Sequence, residues 1–173
     1  QDALTSVEQL IDGCVDIANE VGTAKIGDPY DLFIHNNEEK ALYAVESWYS
    51  WHSREDYRNN IYSIRNAYYG TRTGAISELS LSKAVAAVNA NLDTEVKKAI
   101  DDAAAAIWAI PSPFRNNINS PEAVSAMEVC ATLEGVLKGS LKSCIEGIDK
   151  TVLAEVVKNY VDVVVLPTYS DLK

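Results

Sequence analysis

Apolar residues recur at intervals of three and four along nearly the whole chain, and this spacing is the feature that most constrains the fold. It places one residue per turn on the same side of a helix. The clearest stripe consists of Tyr57, Ile61, Ile64 and Tyr68. Only 161–165 has the β-branched composition typical of a strand, and a lone strand would have no partner. The sequence therefore predicts an all-α fold, an antiparallel up-and-down bundle of four or five helices.

Capping residues, glycines and prolines predict where these helices begin and end. Thr5 and Glu8 have the spacing of a capping box, so the first helix is expected to begin near Thr5. The loop signals over 22–37 predict a connection, although its start, to about Lys25, is also compatible with helix. The remaining predicted helices cover Glu38–Tyr69 with an irregular stretch over 47–53, Leu81–Asn89, a segment capped by Asp93 that runs to Ile110, a segment from Ser120 and Pro121 to Lys142, and a final segment from Asp149.

Size and charge limit the classes of function. The chain has 173 residues, which suits one domain of ordinary size. Its 25 acidic and 15 basic residues give a formal net charge of −10, and such a surface repels phosphate backbones, so nucleic acid is not an expected partner. No apolar run has the length of a membrane span. No signal peptide is visible at Gln1, so any targeting segment has been removed or was never present.

The cysteines do not have the spacing of a metal site. There are three, Cys14, Cys130 and Cys144, and none form a C-x-x-C pair. Cys14 and Cys130 fall on apolar helix faces, which predicts core thiols. A disulfide between two of the three is compatible with an oxidising compartment, and the sequence leaves that open.

Three blocks of the sequence resemble the C-terminal bundle of the imelysin family. They are Ala18–Pro29, Glu46–Gly70 and Ala109–Asn117, in the family's order. Residues 159–172 instead resemble the start of family members. We therefore interpret 1–173 as a single bundle domain in permuted order, engineered or natural. Residues 1–142 correspond to the C-terminal half, 150–173 to the N-terminal helix, and the junction lies near 143–149.

The resemblance implies a setting as well as a fold. Family members have two bundles and resemble extracytoplasmic, often lipid-anchored bacterial proteins linked to iron uptake. Their signature Gly-x-His-x-x-Glu, taken as a metal or peptidase site, belongs to the other bundle and is absent from this sequence. The expected partners are that missing N-terminal bundle and a small iron- or haem-related ligand. No cofactor is expected on this chain, and a membrane would be reached only through a lipid anchor outside it.

A polar stripe beside the aromatic one provides the candidate ligand-binding residues. A polar stripe can face solvent, form a hydrogen-bond network across the bundle, or line a cleft against the missing bundle. The resemblance favours the third interpretation, because these residues fall in a matching block. The candidates are Glu46, His52, Asp56, Asn60, Ser63, Arg65, Asn66 and Tyr69.

Metal and catalytic signals are weak. His52 and Glu55 share a helix face, but two ligands are too few for a metal site. His35 lies near acidic residues that the helix dipole alone explains. The chain has no Gly-x-Ser-x-Gly elbow and no HExxH motif. We therefore expect a non-enzymatic bundle domain that supplies one wall of a ligand cleft. A metal-dependent peptidase domain and a purely structural or interaction bundle remain the alternatives.

Overall fold

The computed structural model describes residues 1–46 and 51–167, and these are largely helical. No strand occurs among them, so the predicted all-α class is confirmed. The α-helices are α1 (Ala3–Asn19), α2 (Asp28–Ile34), α3 (Glu38–Ala44), α4 (Ser53–Tyr69), α5 (Leu81–Val88), α6 (Ala90–Ala109), α7 (Pro121–Val136), α8 (Lys142–Ile145) and α9 (Lys150–Asn159). Further turns are π-helical over Glu20–Gly27, Leu137–Leu141 and Tyr160–Val165, and 3-10 over Phe114–Asn116.

The first helix begins earlier than the sequence predicts. Its cap is Asp2, whose Oδ1 accepts a hydrogen bond from the backbone N–H of Thr5 at 2.8 Å. This bond lowers the pKa of the Asp2 carboxyl. Thr5 is thus inside α1, and the prediction of a capping box at Thr5 is wrong because a better acceptor stands three residues before it.

The predicted loop over 22–37 is wrong as far as Ile34, since Glu20–Gly27 and α2 continue the helical path of α1, and only 35–37 are not helical. The glycines there serve close packing. A Cβ on Gly22 would lie 2.8 Å from the Cβ of Cys130, so only glycine fits without a shift. Pro29 lies in the first turn of α2, where its missing N–H costs nothing.

The long helix predicted over 38–69 is interrupted. The helix α3 ends at Ala44 and α4 begins at Ser53, while residues 47–50 lie outside the described residues. The cap prediction at Asp93 fails as well. Asn89 caps α6 by accepting from the N–H of Leu92 at 3.0 Å, and Asp93 is buried inside the helix. The cap predicted at Ser120 is confirmed, with the N–H of Ala123 donating to its hydroxyl at 3.1 Å. The final helix starts near Asp149 as predicted, and Asp149 accepts from the N–H of Thr151 at 2.8 Å.

The chain divides into two compact units. Unit 1 contains Gln1–Val15, Ser63–Lys98 and Gly135–Lys173, and unit 2 contains Asp16–Tyr62 and Ala99–Glu134. Within unit 1, the fully buried side chains include Val7, Ile64, Val85, Ile145 and Leu153. Within unit 2, they include Ala18, Ile26, Tyr57, Ile61, Ile107 and Leu133.

The last described helix is part of unit 1. It packs on α5, and Leu153 of α9 is fully buried. At its end, the Asn159 amide donates to the carbonyl oxygen of Gly70 at 2.9 Å. The segment from Asp149 is therefore helical and packed, as predicted, up to Asn159. The permuted order of the chain stays a prediction.

Two of the three cysteines are core thiols, as predicted. Cys14 and Cys130 are buried, and burial raises the pKa of each thiol to about 12. Cys144 is half-buried, and all three are free thiols. None of the described helices is long and apolar enough to cross a membrane.

Candidate functional site

A lysine that sequence reasoning passed over organises the polar side chains of unit 2. Lys25 lies in the π-helical segment, and only 13% of its side chain is exposed. Its Nζ donates to Oδ1 of Asn60 at 3.1 Å. It also lies 3.3 Å from a carboxylate oxygen of Glu46 and 3.8 Å from one of Glu20. We call Lys25, Glu20, Glu46 and Asn60 the Lys25 cluster.

The Lys25 cluster combines a half-buried ammonium with accessible acceptors. The carboxylates of Glu20 and Glu46 are more than half exposed, at 63% and 53%. Each carboxylate therefore keeps oxygen lone pairs turned to solvent, while Lys25 fixes its position. The Lys25 ammonium is also 6.0 Å from the centre of the Tyr57 ring, which contributes a weak cation–π attraction. Such an arrangement can hold a polar ligand through oriented oxygens.

The first two turns of α4 carry several buried polar atoms that lack hydrogen-bond partners among the described residues. They are Nε of Arg54, Oε2 of Glu55, the hydroxyl of Tyr57 and Nε of Arg58. The Ser53 hydroxyl donates to the carbonyl oxygen of Glu46, and no partner lies within hydrogen-bond distance of the Tyr57 hydroxyl among the described residues. Burial raises the pKa of Tyr57, so its hydroxyl stays neutral. Unpaired buried polar atoms are rare in folded proteins, and their concentration in one stretch needs a cause.

Three arginines of unit 2 lie over aromatic rings. The guanidinium carbons of Arg54 and Arg58 are 3.9 and 3.7 Å from the ring centre of Trp108. Arg115 is 4.1 Å from that of Trp51. Arg54 also donates to the carbonyl oxygens of Trp108 and Ile110, at 3.0 and 3.2 Å. Because one of these carbonyls lies in the last turn of α6 and the other directly follows it, Arg54 closes that helix end.

The predicted ligand-binding residues divide between the two units. In unit 2, Lys25 joins Glu46 and Asn60, whereas His52 is exposed and Asp56 is half-buried. In unit 1, Ser63 is exposed, Arg65 and Asn66 are half-buried, and Tyr69 is buried. Their role in binding stays a prediction.

The weak metal candidates do not form a larger ligand set. His52 is exposed and Glu55 is half-buried. The Nδ1 of His35 lies 2.6 Å from the carbonyl oxygen of Asp31. Over residues 1–46 and 51–167, no three His, Cys, Asp or Glu side chains are grouped so that they could hold one ion.

Unit 1 has its own buried polar network, centred on Asp93. Oδ1 of Asp93 accepts from the Tyr68 hydroxyl at 2.9 Å and from the Ser82 hydroxyl at 2.6 Å. Oδ2 lies 2.9 Å from Nζ of Lys97. These donors together hold the pKa of Asp93 below its usual value, against the effect of burial. Every partner here is a protein group, which is typical of a structural network.

Each unit also has an open cavity. In unit 2, a cavity of about 260 Å³ is lined by Gly22, Thr23, Asp31, Met127 and Glu134 among others. Glu134 is fixed there by the Asn19 amide, which donates to it at 3.2 Å. In unit 1, a cavity of about 540 Å³ includes Asn91, Glu95 and Cys144 in its lining. The Lys25 cluster does not line either of them.

Comparisons with known proteins give the chain's relatives. A structure of an imelysin peptidase from Bacteroides ovatus is 58% identical, with a TM-score of 0.97, over 99% of this chain and 50% of that one. A putative iron-regulated protein A precursor from Parabacteroides distasonis is 40% identical, with a TM-score of 0.75, over 80% and 41%. Iron-regulated protein A from Synechococcus elongatus is 27% identical over 134 residues, which are 78% of this chain and 36% of that protein.

These matches cover most of this chain but half or less of the length of each relative. The family model for imelysin (peptidase M75) matches residues 1–159. That range includes the three blocks on which the resemblance was based and α1 to α9. The chain therefore belongs to the imelysin family.

Proposed function

We propose that this chain is one bundle of an extracytoplasmic imelysin-like protein and supplies one wall of a ligand cleft through the Lys25 cluster. The opposite wall would come from a second bundle, because the chain spans half of the Bacteroides ovatus relative. The ligand would be a small iron- or haem-related molecule. Two relatives bear the name iron-regulated protein A, which supports that class.

The observation that carries the proposal is that the hydrogen-bonded Lys25 cluster lies close in sequence to buried polar atoms without hydrogen-bond partners among the described residues. The cluster itself is held by one hydrogen bond and two ion pairs of Lys25, and so it is preorganised. Next to it in sequence, Glu55 and Tyr57 each bury a polar atom that lacks a partner in the described part of the chain. A preorganised polar group beside unpaired ones is the arrangement expected where a ligand completes the hydrogen bonding.

The test uses the intact protein that carries this chain, with haemin and ferric citrate as probes. Binding is measured by titration calorimetry and, for haemin, by its absorption spectrum. Lys25→Met removes the ammonium but keeps the length of the side chain, and Asp56→Ala and Asn66→Ala test the predicted stripe. Lys25→Met should weaken binding about tenfold or more, because a buried charged hydrogen-bonding group is lost.

The matched control is Lys40→Met. Lys40 is an exposed lysine of unit 2, and replacing it should leave the affinity unchanged. If Lys25→Met and the two stripe variants all bind as the wild type does, the cleft does not include these residues. If the unmodified protein binds neither probe, the iron- or haem-related class is wrong.

A metal-dependent peptidase is the second candidate, favoured by the Bacteroides ovatus relative's description as an imelysin peptidase. It predicts chelator-sensitive cleavage of peptide substrates by the intact protein. Reproducible cleavage that zinc restores after chelation would favour this function over the ligand cleft. A purely structural bundle would show neither cleavage nor binding.

A further inference from the structure

Arg58 differs from Arg54, four residues before it, in that its guanidinium donates no hydrogen bond among the described residues. Arg54 next to it uses its terminal nitrogen to close the end of α6. The guanidinium carbon of Arg58 lies over two rings, 3.7 Å from the centre of Trp108 and 5.6 Å from that of Tyr62. Its Nε is buried without an acceptor. The guanidinium is therefore partly desolvated and uncompensated.

Such a lone arginine is unexpected in this composition. The chain has 25 acidic residues against 15 basic ones, so carboxylates are plentiful. Yet the buried Nε of Arg58 has no hydrogen-bond acceptor in the ranges 1–46 and 51–167. Moreover, it shares the Trp108 ring with a second positive charge, that of Arg54. An anion beside Arg58 would relieve both the desolvation and the repulsion.

The surroundings narrow the class of anion. The side chain of Arg58 is half exposed, and its buried nitrogen is Nε, so its terminal nitrogens are the accessible donors. Two parallel N–H donors match the two oxygens of a carboxylate. Trp108 is 40% exposed, which leaves apolar ring surface beside those donors. A ligand that combines a carboxylate with a flat apolar body fits both parts.

We propose that Arg58 and Trp108 form a binding site for the carboxylate group of a small arylcarboxylate. In this site Arg58 pairs with the carboxylate, the exposed part of Trp108 contacts the apolar body, and Arg54 holds the end of α6 in place. The site is separate from the Lys25 cluster and does not depend on its proposed role.

The test follows the indole N–H resonance of Trp108 in ¹H–¹⁵N spectra of the labelled chain. Trp108→Phe identifies that resonance by its loss. Benzoate is the probe, benzamide is its uncharged counterpart, and inorganic phosphate reports binding by charge alone. We expect a saturable shift with benzoate, none with benzamide and a much weaker one with phosphate.

Two variants separate recognition from folding. Arg58→Gln should weaken benzoate binding about tenfold or more, since a charge-assisted hydrogen bond is lost. Arg58→Lys keeps the positive charge but not the two parallel N–H donors of the guanidinium, so this variant should lose the preference for benzoate over phosphate. Arg72→Gln, at an exposed arginine of unit 1, is the control and should bind as the wild type does. Circular dichroism checks that each variant is folded.

Three results would overturn the proposal. They are an equal shift with benzamide, an equal shift with phosphate, and unchanged benzoate binding in Arg58→Gln. In the first and third cases, the contact between Arg58 and Trp108 is a packing interaction only. If Arg58→Gln fails to fold, the benzoate and phosphate affinities of Arg58→Lys are compared with those of the wild type. An unchanged preference for benzoate in Arg58→Lys would then overturn the proposal.

Discussion

Tyr57 and Tyr68 are two buried tyrosines of the same helix, α4, and their hydroxyls have opposite surroundings. Both rings are almost wholly inaccessible, at 0% and 2% exposure, and burial raises the pKa of both. The Tyr68 hydroxyl, in unit 1, donates to Asp93 at 2.9 Å. That of Tyr57, in unit 2, has no partner among the described residues.

The difference shows that the two ends of α4 have opposite polar surroundings. Around Asp93 in unit 1, hydroxyls and an ammonium converge on one carboxylate, and such a network fixes a core. On the first two turns of α4 in unit 2, four buried polar atoms are left open. Proteins give up stability at functional sites, so unit 2 is the better place to look for binding.

The strongest test of this comparison removes the centre of the paired network. Asp93→Ala should lower the free energy of unfolding by about 3 kcal/mol, because Tyr68 and Ser82 would keep buried hydroxyls without an acceptor. The measurement is the midpoint of urea unfolding. Asp101→Ala, at an exposed position of the same helix, is the control and should stay within about 0.5 kcal/mol. A loss below that limit in Asp93→Ala would show that the network is not structural.

Acid should weaken the same network in the wild type. The folded-state pKa of Asp93 lies below its usual value of 3.8, so its contribution is complete above that pH. The contribution is lost as the pH falls through 3.8 towards the lower folded value. Unfolding midpoints of the wild type and Asp93→Asn, compared from pH 7 to pH 2.5, isolate this carboxyl from others such as Asp2. The two proteins should converge at low pH, and a constant difference would contradict the assignment.

The helical class could be predicted from the sequence because the spacing of apolar residues is a local property. Several helix boundaries could not be predicted in this way. Gly22 looked like a helix breaker, whereas it allows close packing against Cys130, 108 positions away in the numbering of the chain. Asp93 has the right chemistry for a cap, yet its partners Tyr68 and Ser82 make it a core residue. Tertiary contacts of this kind leave no local pattern.

The candidate site was predicted in part for the same reason. Glu46 and Asn60 were identified from a polar stripe, but Lys25, which joins them, lay in a segment that looked like a loop. Its place in a block that resembles the imelysin family was a signal that could have identified it. For Arg54 and Arg58, their spacing by four residues was the available signal, and nothing local connects them to Trp108.

A smaller effect is expected when one donor of the paired network is removed. Tyr68→Phe should cost about 1 to 2 kcal/mol, because Asp93 loses a hydrogen bond but keeps those of Ser82 and Lys97. Urea unfolding measures the change. In a double-mutant cycle, Tyr68→Phe should have almost no further effect in the Asp93→Ala background. Additive losses would mean that the hydroxyl is not stabilised by this carboxylate.

The smallest effect is expected at the unpaired tyrosine, and it is the sharpest test of the contrast. Tyr57→Phe removes a buried hydroxyl that gains no hydrogen bond in the described structure, so the free energy of unfolding should change by less than about 0.5 kcal/mol or increase. The edge-to-face contact of its ring with Phe114, at 5.7 Å, is retained by phenylalanine. If Tyr57→Phe is instead as costly as Tyr68→Phe, the hydroxyl is paired and the contrast between the units fails. If Tyr57→Phe keeps the stability while the intact protein loses affinity for haemin, the hydroxyl hydrogen-bonds to the ligand. A hydroxyl that only filled the core would affect neither the stability nor the affinity.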